Sequence, residues 1–263
     1  MLRFFRNIRK TLMDQNKLRA YFFYALGEIA LVMIGILLAL QVNNWNELRK
    51  EEQREKVYLG LLHQNLSTDL EFFTLNMKFY ETVLESGTRI LSYSQGEDIP
   101  GYSNWELLVS TFHASQIWPI YVESSTFDEL KSAGELSLLS NLTLRDRLGF
   151  YYGGGQFRYT DTIGINPPYR KLSRMIIPYH IQGYMWDECH ETDGDTQILV
   201  PCEPPVSESE ALEVLKKMVN NDELMGELNF FMTAIRAGWQ PLKEQKELCE
   251  FMVQEIETDL KKL

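Results

Sequence analysis

Read for its hydrophobic and polar positions, the chain opens with one long apolar run, AYFFYALGEIALVMIGILLALQV at residues 20–42, and then turns to helix-period alternation. The run holds 23 residues and one charge, Glu28. At about 1.5 Å rise per residue, a helix of that length reaches roughly 34 Å, against a hydrocarbon core of about 30 Å. Its Leu, Ile, Val and Phe residues together favour insertion by roughly 5 kcal/mol, whereas one carboxylate toward the end of the run costs no more than about 3 kcal/mol. Insertion wins. The pattern predicts a transmembrane helix over residues 20–45, with Tyr21 and Tyr24 at one interface and Trp45 at the other.

Beyond the run, NWNELRKEEQREK is charged and free of helix breakers. An apolar seam follows at Leu59, Leu62, Leu66, Leu70, Phe73, Met77, Tyr80, Leu84 and Leu91, spaced at helix and nearly heptad period. The transmembrane helix is therefore expected to continue as one long helix to about Tyr93. Its stripe fits either a coiled coil between protomers or, as favoured here, the intrachain face of a bundle. Turn residues 94–101 end it. Shorter helices are expected at 104–115 with Asn104 as N-cap, after a capping box at Thr126 and Glu129, and from Leu142 with Asn141 as N-cap. More follow around 169–181, broken by Pro178, and from Ser207 to about Val219. A last long helix runs from about Asp222, with Pro241 as a kink. Residues 182–206 are the least helical part and are expected to form a long loop or small hairpin. No stretch shows sustained β alternation. The fold class is all-α: a single transmembrane helix continuing into a long helix, followed by an extracytoplasmic helical bundle over residues 46–263.

Charge adds an orientation. The formal net charge is −11, yet Arg3, Arg6, Arg9, Lys10, Lys17 and Arg19 face only Asp14 in residues 1–19. Positive charge beside a span marks the cytoplasmic side, so the acidic remainder lies outside the cytoplasm. The expected location is the inner membrane of a bacterium, crossed once, with a periplasmic C-terminal domain. Leu2, Phe5, Ile8 and Leu12 recur at helical spacing, which suits an amphipathic segment on the inner leaflet or a plain basic flank. The apolar run exceeds a signal-peptide core and lacks an A-x-A site, which favours an uncleaved signal anchor. An acidic body without a basic stripe argues against nucleic acid as a partner.

Within the run, Gly27, Gly35 and Ala39 recur at multiples of four, and Gly35-x-x-x-Ala39 is a small-xxx-small pair that lets another helix approach. Glu28 is a candidate functional carboxylate because an ionisable group within a span is costly; meeting headgroups is the plainer reading.

Two blocks resemble a known family. The first is the anchor GEIALVMIGILLALQVNNWNE, from Gly27 to Glu47; the second is STFDELKSAGELSLLSNLTLRDRLGFYY at 125–152. Both are similar to single-span membrane proteins of Bacteroidota catalogued only as a domain of unknown function. The resemblance covers about half of the chain. It implies an N-terminal anchor followed by a helical extracytoplasmic region, and no activity.

Candidate chemistry is sparse. Cys189 and Cys202 lie in the irregular stretch. A disulfide, free thiols, or a metal site with His190 and His180 are the alternatives, and the first is favoured in an oxidising compartment. Paired zinc spacing is missing. The acidic run Asp187, Glu188, Glu191, Asp193 and Asp195 lacks the EF-hand register. Gly153-Gly154-Gly155 lacks the Gly-Lys-Ser/Thr of a phosphate loop. Cys249 falls on a core stripe, and His63 and His113 have no evident catalytic partner. No cofactor, metal or catalytic residue is assigned. The expectation is a non-enzymatic anchored module that acts through contacts with the bilayer, with itself or with another membrane protein. A proton- or ion-coupled subunit using Glu28 and an external ligand sensor are the alternatives.

Overall fold

The computed structural model of the chain describes residues 18–155, 166–192, 194 and 196–263, apart from the side chains of 18–21, 24, 154 and 155. The basic amphipathic segment before residue 18 lies outside the described residues, as do the side chains of Tyr21 and Tyr24 and residues Asp193 and Asp195. The described fold is all-α apart from one short hairpin. Its helices are α1 (Leu18–Ser94), α2 (Asn104–His113), α3 (Ser125–Ser132), α4 (Leu142–Phe150), α5 (Pro168–Ile176), α6 (Tyr179–Glu188), α7 (Glu208–Val219) and α8 (Asp222–Leu260). The two strands, β1 (His190–Thr192) and β2 (Gln197–Leu199), pair antiparallel with Glu191 opposite Ile198.

The chain divides into two units, residues 1–55 and 56–263. In the first, the apolar part of α1 is exposed throughout: Phe22, Ile29, Leu31, Val32, Ile34, Leu37 and Leu40 all face outward. This is the one helix among the described residues that is long and apolar enough to cross a membrane. Gly27, Gly35, Ala39 and Trp45 are exposed on it, and nothing lies within 4 Å of where a Cβ would stand on either glycine.

The second unit holds the core. Within it, a buried seam of α1 runs through Leu59, Leu62, Leu66, Asp69, Phe73, Asn76, Tyr80, Val83, Gly87 and Ile90, with Phe79 and Ser86 also buried beside it. The steps alternate three and four, a heptad pattern covered by the chain's own helices rather than by a second copy. The expected seam is half right. Leu70, Met77, Leu84 and Leu91 are only half-buried, and the polar Asp69 and Asn76 take the inward places beside them. At Gly87 a Cβ would meet the Met232 side chain, so the end of Met232 from α8 packs directly onto the α1 backbone there.

Around this seam, α2 is buried at almost every position, from Trp105 to His113, and packs against α7, while α8 packs against α4, α5 and α7. Of the apolar stripe that periodicity predicts for α8, Leu228, Phe231, Ile235, Leu242, Cys249, Met252 and Ile256 are buried, whereas Leu260 is half-buried and Asp259 takes the inward place beside it; Pro241 lies inside the helix without ending it. Asn141 and Ser207 cap α4 and α7 as expected.

Three local expectations are corrected. The N-cap of α2 is Ser103, not Asn104, because Ser103 has the extended backbone a cap requires and forms a reciprocal box with Glu106. Thr126 does not cap α3; it is buried inside the helix, and the Ser124 hydroxyl before it donates to the Asp128 carboxylate. The irregular stretch begins at Cys189 rather than 182, since α6 runs to Glu188, and its middle is the hairpin. Pro178 separates α5 from α6, as read. The glycine triplet closes α4 as five residues of π-helix, Tyr151–Gly155.

Candidate functional site

The loop between α2 and α3 determines where a site can form. Residues 116–123 have no regular structure, so their backbone groups need partners from elsewhere. The polar seam positions of α1 provide them. The Tyr80 hydroxyl accepts from Trp118 N–H at 3.0 Å and donates back to Trp118 C=O at 3.2 Å. Asn76 Nδ2 donates to the same carbonyl at 3.2 Å. Asp69 Oδ1 accepts from Glu123 N–H at 2.8 Å. The segment is thus pinned along about three turns of α1, from Asp69 to Tyr80.

Between that segment and α1 lies a cleft of about 470 Å³. Phe72, Trp118 and Tyr121 form its aromatic side, with ring centroids 5.3 Å (Phe72–Trp118) and 6.2 Å (Phe72–Tyr121) apart. Thr68, Asp69 and Glu123 are its polar side, and Gly194 and Gln197 of the hairpin complete it. No lysine, arginine or histidine lines it among the described residues.

Asp69 is the chemically distinctive member. It is 2% exposed, and its second oxygen accepts from the Tyr151 hydroxyl at 2.8 Å. Burial pushes its carboxyl up to about 6, against the hydrogen bonds from Glu123 N–H and Tyr151 that favour the charged form. Burial and then the Asp69 charge keep the Tyr151 phenol protonated. The same pair of causes raises the Cys249 thiol to about 12, and its Sγ donates to Leu66 C=O at 3.1 Å. Cys249 is therefore a thiol rather than a nucleophilic thiolate at neutral pH. Glu123 is exposed, and hydrogen bonds from Ser125 hold its carboxyl below the usual range.

A smaller concavity of about 180 Å³ lies along α2, lined among others by Arg89, Tyr102, Glu106, His113 and Cys202. Arg89 donates to Ser110 Oγ at 2.9 Å and stacks 4.1 Å from the Tyr102 centroid. Cys189 and Cys202 are joined in a disulfide. Both of their carbonyls are held by α2: Trp105 Nε1 donates to Cys202 C=O at 2.9 Å, and His113 Nε2 faces Cys189 C=O at 2.9 Å. A ring nitrogen facing a carbonyl must carry the proton. Burial lowers His113 to about 4, so it is a neutral, structural donor. No group of His, Cys, Asp and Glu suited to a metal occurs among the described residues.

The residues singled out from sequence fall in two units. Glu28, Gly27, Gly35, Ala39 and Trp45 belong to the first unit, the bonded cysteines to the second. Asp69, Trp118, Tyr121 and Glu123 were not anticipated. The available signal was a pair of polar residues seven apart, Asp69 and Asn76, at positions where the heptad of leucines and aromatics calls for apolar side chains.

A family model described as "Family of unknown function (DUF6090)" matches residues 28–160, half of the chain. The chain belongs to DUF6090. The match begins inside the apolar run and contains the α1 and loop sides of the cleft, including Asp69, Trp118 and Glu123, together with the Tyr151 that bonds Asp69; the disulfide and its hairpin lie beyond it. No curated protein and no solved structure matches this chain.

Proposed function

We propose that this DUF6090 protein is a single-span membrane module that works through protein contacts rather than by catalysis. One observation carries the reading: a helix whose apolar stretch is wholly exposed leads into a unit whose own core is closed. Such a stretch is stable when lipid or other apolar helices surround it. Gly35 and Ala39 leave room on one face for a neighbouring helix. The second unit adds exposed apolar side chains at Met175, Tyr179 and Phe230, which suit contact with a partner.

The basic flank argues that residues 1–19 stay in the cytoplasm and that the helical unit lies across the inner membrane. The Cys189–Cys202 bond supports that side, because disulfides persist where the compartment is oxidising. Crosslinking of the full-length chain in native membranes tests the proposal. Recovery of a defined homo-oligomer or a complex with a second membrane protein is the expected result. A chain that stays monomeric and uncrosslinked at native abundance would sink it.

A second reading rests on Glu28, the one charged residue in the apolar run. A carboxylate there suits a proton- or ion-coupled complex. That reading requires Glu28→Gln to abolish function while leaving assembly intact; normal function in the variant removes it.

A further inference from the structure

We propose that the cleft between α1 and the 116–123 segment binds an organic cation, an alkylammonium group set against the rings of Phe72, Trp118 and Tyr121, with Asp69 and Glu123 offsetting its charge. The lining decides the ligand class. Three aromatic residues and two acidic ones, Asp69 and Glu123, line one cavity, and no basic side chain lines it among the described residues. Ring faces and carboxylates both attract cations, and aromatic cages are a general solution for alkylammonium groups. An anion would meet the carboxylates of Asp69 and Glu123 and no counter-charge among the described residues. A hard metal ion needs six or more oxygen ligands at fixed distances, whereas much of this wall is aromatic or aliphatic. A neutral apolar ligand would leave the buried Asp69 carboxylate without gain.

The surroundings of Asp69 agree. Among the described residues, the titratable groups facing it are Glu123 from the 116–123 segment, Tyr151 and Tyr152 from the π-helix, and Cys249 from α8. Glu123 is the one that carries charge at neutral pH, and it is negative. A bound cation supplies a counter-charge to a carboxylate whose titratable neighbours, among the described residues, are neutral or negative. Binding therefore favours ionised Asp69 and must compete with a proton as pH falls through about 6.

The test is a saturation-transfer NMR titration of the full-length protein in uncharged detergent. Its probes are choline and the uncharged carbon isostere of choline, in which a quaternary carbon replaces the nitrogen. Two variants leave the core untouched, because Tyr121 is 65% exposed and Glu123 is exposed too: Tyr121→Ala and Glu123→Gln. The expected result is saturable choline binding with the isostere at least ~10-fold weaker, and ~3- to 10-fold loss in each variant at an unchanged unfolding temperature. Affinity should also fall as pH is lowered from about 7.5 to about 5.5, as Asp69 takes up its proton. Absence of saturable choline binding overturns the assignment. Equal binding of the isostere, or wild-type affinity in both variants, overturns it as well.

Discussion

At the residue scale, Asp69 sets a pH dependence whose sign follows from its raised carboxyl. The folded protein keeps this proton up to about pH 6, whereas an unfolded chain releases it near the ordinary 3.8. The contribution to stability is therefore fully present below about pH 4 and is lost as pH rises to about 6. A shift of this size corresponds to about 3 kcal/mol. Asp69→Asn keeps an acceptor for Glu123 N–H and carries no charge. Its stability, measured by denaturant titration, should exceed wild type by about 1–3 kcal/mol above pH 6.5 and vary less between pH 4 and 6.5. Arg174 is a second residue held at a cost. Its guanidinium stacks 3.9 Å from the Phe112 centroid, burial lowers it to about 9, and both terminal nitrogens are buried without a hydrogen-bond partner among the described residues. Arg174→Met, of similar length and uncharged, should raise stability by about 1 kcal/mol in the same titration. Neither effect was legible in the sequence. Asp69 reads as an ordinary polar position until the loop that it pins is known, and Arg174 reads as a surface residue in a short helix between prolines.

Elements were far more legible than residues. The α8 stripe follows from period alone, and Asn141, Ser207 and the Pro178 break mark their ends by turn chemistry, which depends on few neighbours. The α1 seam was read one position off in places because Leu70 and Met77, beside Asp69 and Asn76, are the more apolar choice and only tertiary contacts select between them. Gly87 belongs to this scale, since its meaning lies in how the Met232 side chain of α8 packs onto α1. Gly87→Ala puts a methyl group into Met232, and overpacking of that kind typically costs about 1–2 kcal/mol; a lower thermal midpoint checks it. Met232→Ala in the same chain should relieve the clash and recover part of the loss beyond additivity. The hairpin offers a covalent count. Of three cysteines, Cys249 alone is unbonded. One thiol per chain should react with a maleimide probe after denaturation, and three after reduction. Cys202→Ser should lower stability by about 3 kcal/mol for a loop of this length.

For the whole molecule, the apolar run dictates how the protein must be handled. The full-length chain is expected to stay in the membrane pellet through alkaline carbonate washing and to require detergent for release; recovery in the wash would contradict a spanning helix. A helix long and apolar enough to cross a membrane was the most legible property of all, because it is read from one continuous run of 23 residues with a single charge, whereas the cleft arises from segments separated by up to about 130 positions in sequence.

A repeating seam of leucines has a weakness that its polar positions remove. Moved along its axis by seven residues, a heptad helix presents nearly the same outline to its neighbours, and packing alone distinguishes the alternatives poorly. Here the two offsets are not equivalent. One would bring Asp69 against the Trp118 carbonyl, oxygen to oxygen; the other would bring Val83 there and leave that carbonyl without its amide. Asp69 and Asn76 thus act as an address written into an otherwise periodic rail. They fix which turn of the helix meets the loop, and with it where along the rail the protein builds its cleft.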